Sequence, residues 1–142
     1  MKTDSSRMTI IEKDLSYKLR GLFIKLSKQY GHLYKEDFYH NALVELLSQD
    51  KMPFKSQPRI NIHSFETSKV LSTYKPDFLI KDSIIVELKA QPYLDHQSIA
   101  QLDQYLKASK YELGFLVNFG EPKANIIRRI YTNDRKPWLN KK

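Results

Sequence analysis

The chain predicts an α/β or α+β protein in which helices pack against a sheet. Three observations carry that prediction. The first third has helical periodicity. Two short apolar runs bound a polar turn in "PDFLIKDSIIVELKA" (76–90). A further amphipathic helix then separates this hairpin from an almost continuous apolar run, "LGFLVNFG" (113–120). The expected order of elements is ααβββαββ. At 142 residues the chain fits one domain, 1–142, with a core of real size. No internal repeat, low-complexity segment or Gly/Ser-rich linker divides it. Residues 1–8 and 132–142 are expected to be flexible tails.

Taken in order, Leu15, Leu19, Leu22, Phe23, Leu26 and Tyr30 recur at spacings of three and four, which predicts a helix over 14–30 ended by Gly31. A second helix over 35–49 has Tyr39, Leu43, Leu46 and Leu47 as its inner face. Glu36 falls on that same face. It is either a first-turn acid favoured by the helix dipole or a carboxylate that something else must satisfy. A first strand is expected around 59–65, followed by the hairpin. In "LDHQSIAQLDQYLKAS", Asp95 is the expected N-cap, with Ile99, Leu102 and Leu106 facing the core. "LGFLVNFG" reads as a central strand, and "ANIIRRIY" as a last strand.

The hairpin poses the chemical question. Side chains alternate along a strand, so Ile84, Val86, Leu88 and Ala90 share one face while Ile85, Glu87 and Lys89 share the other. A turn centred on Lys81, Asp82 and Ser83 pairs Ile80 with Ile84, Leu79 with Ile85, and Asp77 with Glu87. Opposed Cβ atoms in such a pair lie roughly 4.5–5.5 Å apart, and like charges there destabilise a sheet. Lys89, two residues on, offsets part of the repulsion. Either this is an ordinary solvated face, or a divalent cation sits between the acids. Oxygen-only ligands then suit Mg²⁺ or Mn²⁺. On the third helix Gln101 and Tyr105, four residues apart, stack on one stripe beside the core face.

Composition narrows the partners. Net charge is +8, from 24 basic and 16 acidic side chains, which favours polyanions, with nucleic acid ahead of an anionic membrane. Lys123, Arg128, Arg129, Arg135, Lys136, Lys141 and Lys142 concentrate that charge towards the C-terminus. With no cysteine the chain holds no disulfide, iron–sulfur cluster or thiolate zinc site. No apolar run approaches the ~18 residues that span a bilayer, and the first residues lack the apolar core of a secretory signal. A cytoplasmic protein is expected. His32, His40, His63 and His96 show no zinc-ligand spacing and read as surface or packed imidazoles. Nucleophile-elbow, phosphate-loop and dinucleotide fingerprints are absent.

The polar residues in combination resemble the PD-(D/E)XK nuclease signature: Pro76-Asp77, then Glu87-Leu88-Lys89. "QLDQY" is similar to the Q-x-x-x-Y motif of RecB-type members. From about residue 15 to 131 the chain resembles the small GxxExxY family within that superfamily, through "LSYKLRG", "EDFYHNAL", "PDFLI", "IIVELKA", "QLDQYLKAS" and "LGFLVNFG". Glu36 and Tyr39 supply the E-x-x-Y part. Leu33 stands where the family name implies glycine.

The resemblance implies a restriction-endonuclease-like core, a central mixed sheet flanked by helices, with metal ligands on the hairpin. It implies Mg²⁺- or Mn²⁺-dependent hydrolysis of phosphodiester bonds in DNA, with RNA left open as a substrate, by a monomer or homodimer. Carried over by position, Asp77, Glu87 and the carbonyl of Leu88 bind the metal, and Lys89 orients or deprotonates the attacking water. Glu36 reaches in as an outer-shell or second-metal carboxylate. Gln101 and Tyr105 line the site and hold Lys89 or the nucleic acid, while basic residues such as Lys123, Arg128 and Arg129 lie along phosphates. Two other readings use the same residues differently: a nucleic-acid-binding module that does not cleave, and a protein-interaction module of a repair or defence complex.

Overall fold

The structure is a computed structural model and describes residues 12–140. Residues 1–8, expected to be frayed, and Lys141 and Lys142 of the basic tail lie outside the described residues. The first helix, α1, spans Lys13–Tyr30. It stops at Gly31, whose φ of 73° is open to glycine and whose N–H reaches the Ser27 carbonyl at 2.9 Å. Helix α2 spans Glu36–Gln49 and buries Tyr39, Leu43, Leu46 and Leu47, the expected inner face. Strands β1 (Phe54–Ser56), β2 (Ile60–His63), β3 (Val70–Tyr74), β4 (Phe78–Ile80) and β5 (Ile84–Lys89) follow. Helix α3 (His96–Ala108) is capped by Asp95, whose Oδ1 accepts the Ser98 N–H at 2.8 Å. Strands β6 (Leu113–Asn118) and β7 (Asn125–Ile130) complete the main elements.

The central sheet has the order β1-β4-β5-β6-β7 and is mixed: β5 and β6 run parallel, and every other pair is antiparallel. The expected helices and hairpin are present, but the expected order ααβββαββ omits two strands. Phe54–Ser56 is a three-residue edge strand, too short to show an alternation. Val70–Tyr74 carries four exposed residues in succession, so no buried face marked it as a strand. It pairs with β2 in a separate two-stranded sheet rather than with the central one.

Helices α1 and α2 cover one face of the sheet, packing Leu19, Phe23, Leu26, Leu43 and Leu47 against Phe78, Ile80, Val86 and Phe115. The other face is covered by α3 together with β2 and β3. There Leu102, Leu106, Ile60 and Tyr74 meet Leu79, Ile85 and Leu116. The strand β5 is therefore covered on both sides, which is why its apolar positions do not alternate with polar ones until Glu87. Beyond β5 the chain is gripped. The Asn118 side chain accepts from the Gln91 N–H at 2.9 Å and donates to the Gln91 carbonyl at 3.0 Å, while the Phe119 N–H donates to the Lys89 carbonyl at 2.8 Å. Gly120 lies so close to this segment that a Cβ would meet the Gln91 backbone at 2.3 Å.

Residues 132–140, expected to be part of a flexible tail, are packed. Trp138 is buried, donates its indole N–H to the Lys107 carbonyl at 2.8 Å and stacks on His63 at 4.3 Å. Lys136 is fully buried, and its ammonium donates to the carbonyls of Ser109 and Tyr111 and to Asn133 Oδ1, each at 2.7 Å. The basic composition of the segment concealed this, because the cation is satisfied by three neutral oxygens instead of by solvent. Trp138→Ala is expected to destabilise the fold by about 3–5 kcal/mol in urea unfolding. A change below ~1 kcal/mol would mean that the segment is not part of the cooperative unit.

Candidate active site

The hairpin register matches the arithmetic of the sequence: Phe78 pairs with Val86, Leu79 with Ile85 and Ile80 with Ile84. The turn is closed by Lys81 and Asp82 in left-handed conformations, and Ser83 N–H donates to the Ile80 carbonyl at 2.9 Å. One step beyond the ladder, Asp77 and Glu87 interlock. The Asp77 N–H donates to Glu87 Oε1 at 3.0 Å, and the Leu88 N–H donates to Asp77 Oδ2 at 2.8 Å. Each acid thus uses the other strand's backbone to fix its position. Lys89 follows on the face shared by Glu87 and Ile85, half-buried like Glu87.

This proximity has an electrostatic consequence. Burial, followed by the charge of Asp77, raises the pKa of Glu87 well above the usual carboxylate range. Glu36, at the first turn of α2, is also raised, by desolvation and then by Asp77, while Lys89 and His40 pull it down. Asp77 therefore acts on both Glu87 and Glu36, and Lys89 acts on Glu36. Glu36, Asp37, His40, Asn41, Ser56, Gln57 and Asp77 line a cleft of about 540 Å³ between α2 and β1.

His40 was missed from the sequence. It stands four residues after Glu36, one turn along the same helix face. Its Nδ1 lies 3.1 Å from Asp77 Oδ1, its Nε2 lies 2.9 Å from Ser56 Oγ, and its ring stacks on Phe78 at 4.4 Å. The absence of zinc spacing made it look like a packed imidazole, and only the strand β1, itself unforeseen, brings Ser56 to the second nitrogen. The one signal available was the i, i+4 relation to Glu36.

Among the described residues no hydrogen bond joins Gln101 or Tyr105 to the acids. Gln101 Nε2 is 3.5 Å from Tyr105 Oη, a marginal hydrogen bond, and Tyr105 stacks on Tyr74 at 3.6 Å. The Tyr74 hydroxyl is buried beside Glu87, and burial, then the charge of Glu87 and its hydrogen bonding, raises its pKa. The motif pair reaches the acid centre through Tyr74. Of the basic residues, Arg129 is held in a bidentate pair with Asp103 on α3, at 2.8 and 2.7 Å. Lys123 lies with Arg20 and Lys28 in a groove between α1 and the segment preceding β7. Arg128 follows on the α1 side of β7.

A divalent cation fits this chemistry in part. Two opposed carboxylates, one of them driven towards protonation by burial and then by the other, form an oxygen donor pair that a hard cation would relieve. The Leu88 carbonyl is the next oxygen along β5, and His40 adds an imidazole beside Asp77. Among the described residues, however, no group of three His, Cys, Asp or Glu side chains is already assembled as a cage.

The raised pKa of Glu87 gives a signed expectation. The folded state binds this proton more tightly than the unfolded state does. The contribution to stability is therefore complete below the unfolded value of 4.5 and is lost as pH rises through the raised folded value. In metal-free buffer the melting temperature of the wild type should fall more between about pH 5 and pH 8 than that of Glu87→Gln. Parallel curves for the two proteins would show that Glu87 is not under this strain.

The profile of the PD-(D/E)XK nuclease superfamily matches residues 13–130. Among solved structures, the alkaline exonuclease LHK-Exo of Laribacter hongkongensis is similar at 12% identity and a TM-score of 0.47, over 70% of this chain and 57% of that one. The chain thus spans little more than half the length of that exonuclease. A search of curated proteins finds no match. The profile covers the helix bearing Glu36, the Asp77–Lys89 hairpin and the Gln101–Tyr105 helix, and the chain belongs to the PD-(D/E)XK nuclease superfamily.

Proposed function

We propose that this protein is a divalent-metal-dependent nuclease of the GxxExxY type that hydrolyses phosphodiester bonds in DNA, with Mg²⁺ or Mn²⁺ as cofactor. The observation that carries the reading is the interlock of Asp77 with Glu87 beside Lys89, facing Glu36 and His40 from α2. A carboxylate pair held together at a helix–sheet cleft has no use in simple phosphate binding, because it repels the ligand. With a cation it attracts the ligand instead.

Asp77, Glu87 and the Leu88 carbonyl are the residues that would hold the ion, with Glu36 as an outer-shell or second carboxylate. When bound, such an ion neutralises charge developing on the phosphoryl oxygens and makes a water more acidic. Lys89 orients that water or accepts its proton as the oxygen attacks phosphorus and the bond to the leaving oxygen breaks. His40 holds Asp77 Oδ1 and is in turn fixed by Ser56, the arrangement by which an outer partner orients a ligand. Tyr105, through its stack on Tyr74, supports the wall behind Glu87, and Gln101 extends it towards the substrate. Lys123 and Arg128, on the α1 side, would contact phosphates. Arg129 would contribute only by leaving Asp103. The superfamily assignment makes nucleic acid the substrate class; DNA over RNA and monomer or homodimer belong to this proposal.

One observation favours a non-cleaving reading, in which the domain binds nucleic acid or a protein without hydrolysis: both Asp77 oxygens already have partners within the chain. Cleavage separates the two. With Mg²⁺ or Mn²⁺, the wild type should cut plasmid or single-stranded DNA. Asp77→Asn and Lys89→Ala should be slower by about 10²-fold or more, and His40→Ala by about 10- to 100-fold, with unfolding curves close to wild type. Variants that cut as fast as the wild type would remove these residues from the site, and a wild type that binds DNA without cutting it under any divalent ion would favour the silent module.

A further inference from the structure

On the nuclease reading, we propose that the turn bearing Leu33 and Tyr34 is a base-contact element. An unpaired nucleobase next to the phosphate at the acid centre stacks on Tyr34 and abuts Leu33, so that single-stranded or end-frayed nucleic acid is the substrate class. Leu33 is 87% exposed and Tyr34 50% exposed, which places two large apolar side chains in solvent at consecutive positions. A scattered exposed leucine needs no explanation, but these two sit on an organised surface. The Tyr34 ring stacks on Phe38 at 3.9 Å and 14°, and Tyr30 closes edge-on at 6.4 Å. The turn is also held: Tyr39 Oη accepts from the Tyr34 N–H at 3.3 Å and donates to the Gly31 carbonyl at 2.6 Å, while its ring stacks on Phe119 at 4.8 Å.

Placement argues for the occupant. Tyr34 precedes Glu36 by two residues, so their Cα atoms are at most about 7.6 Å apart. With strand phosphates spaced by about 3.4 Å along the axis in duplex form, the turn lies within a few nucleotides of a phosphate near Glu36. Lys35, exposed between the two, offers a cation for the intervening phosphate. In an intact duplex the faces of the bases are closed by stacking, and protein meets phosphates and groove edges. An aromatic stack open to solvent at this distance is used only if a base is free to extend it, and such stacking tolerates any sequence. Leu33 occupies the position where the resemblance implies glycine.

The test measures binding of the full chain, with Ca²⁺ in place of Mg²⁺ so that the acid pair keeps a cation while cleavage is slowed, to an oligonucleotide of about 20 residues carrying 2-aminopurine, single-stranded and as a duplex. Leu33→Ala/Tyr34→Ala should bind the single strand roughly 5- to 100-fold more weakly and lose the fluorescence quench, with duplex affinity unchanged. Tyr34→Phe should restore both. Tyr17→Ala, an exposed aromatic at the far end of α1, should behave as wild type. The proposal is overturned if the double variant binds the single strand like wild type, which would leave the turn to a protein partner, or if it loses single-strand and duplex affinity equally. Cleavage by the wild type in Mg²⁺ is scored separately. A wild type that cuts DNA while the turn variants bind normally sinks this inference alone, whereas a wild type that neither binds nor cuts sinks the nuclease reading with it.

Discussion

Two carboxylates held face to face across adjacent antiparallel strands are the constraint on which the site depends. Asp77 and Glu87 each take a backbone N–H from the opposite strand, so neither can swing away without leaving a donor unpaired. Burial, and then the charge of Asp77, raise the pKa of Glu87. A proton on Glu87 relieves the repulsion between the two acids, and on the proposed reading a divalent cation takes the proton's place.

The rest of the architecture delivers groups to that pair. The hairpin is buried on both faces, which fixes its register, because a slip by one residue would exchange Ile85 and Glu87 for Val86 and Leu88 on the α3 side. Helix α2 crosses the opposite face and presents Glu36 and His40 at its open end. Edge strand β1 supplies Ser56, which fixes the second nitrogen of His40. The Asn118 clamp on Gln91 fixes the backbone just past Lys89. Trp138 and Lys136 fasten the final segment to the end of α3, remote in sequence from the acids but continuous with the layer that buries Tyr74 and Tyr105.

Much of this was legible in the sequence, for identifiable reasons. The hairpin pairing followed from the period of two and from a turn centred on Lys81, Asp82 and Ser83. The faces of α1, α2 and α3 followed from apolar spacing. The strands β1 and β3 were not legible, since one has three residues and the other exposes four of its five. His40 escaped because its role depends on Ser56, which lies on one of those hidden strands. The packed C-terminal segment escaped because a buried lysine looks like a solvated one until its three acceptors are in place. Gln101 and Tyr105 were found as a motif, but their distance from the acids, bridged by Tyr74, depends on tertiary packing that spacing does not encode. Among the described residues no helix is long and apolar enough to cross a membrane.

The central claim, that the acid pair is a cation site, is tested most directly by calorimetric titration of Mn²⁺ into the wild type and Glu87→Gln at near-neutral pH. The account predicts saturable binding to the wild type, with release of protons from the strained carboxylate, and loss of that binding in the variant. Absence of Mn²⁺ binding to the wild type, or equal binding to both proteins, would contradict it.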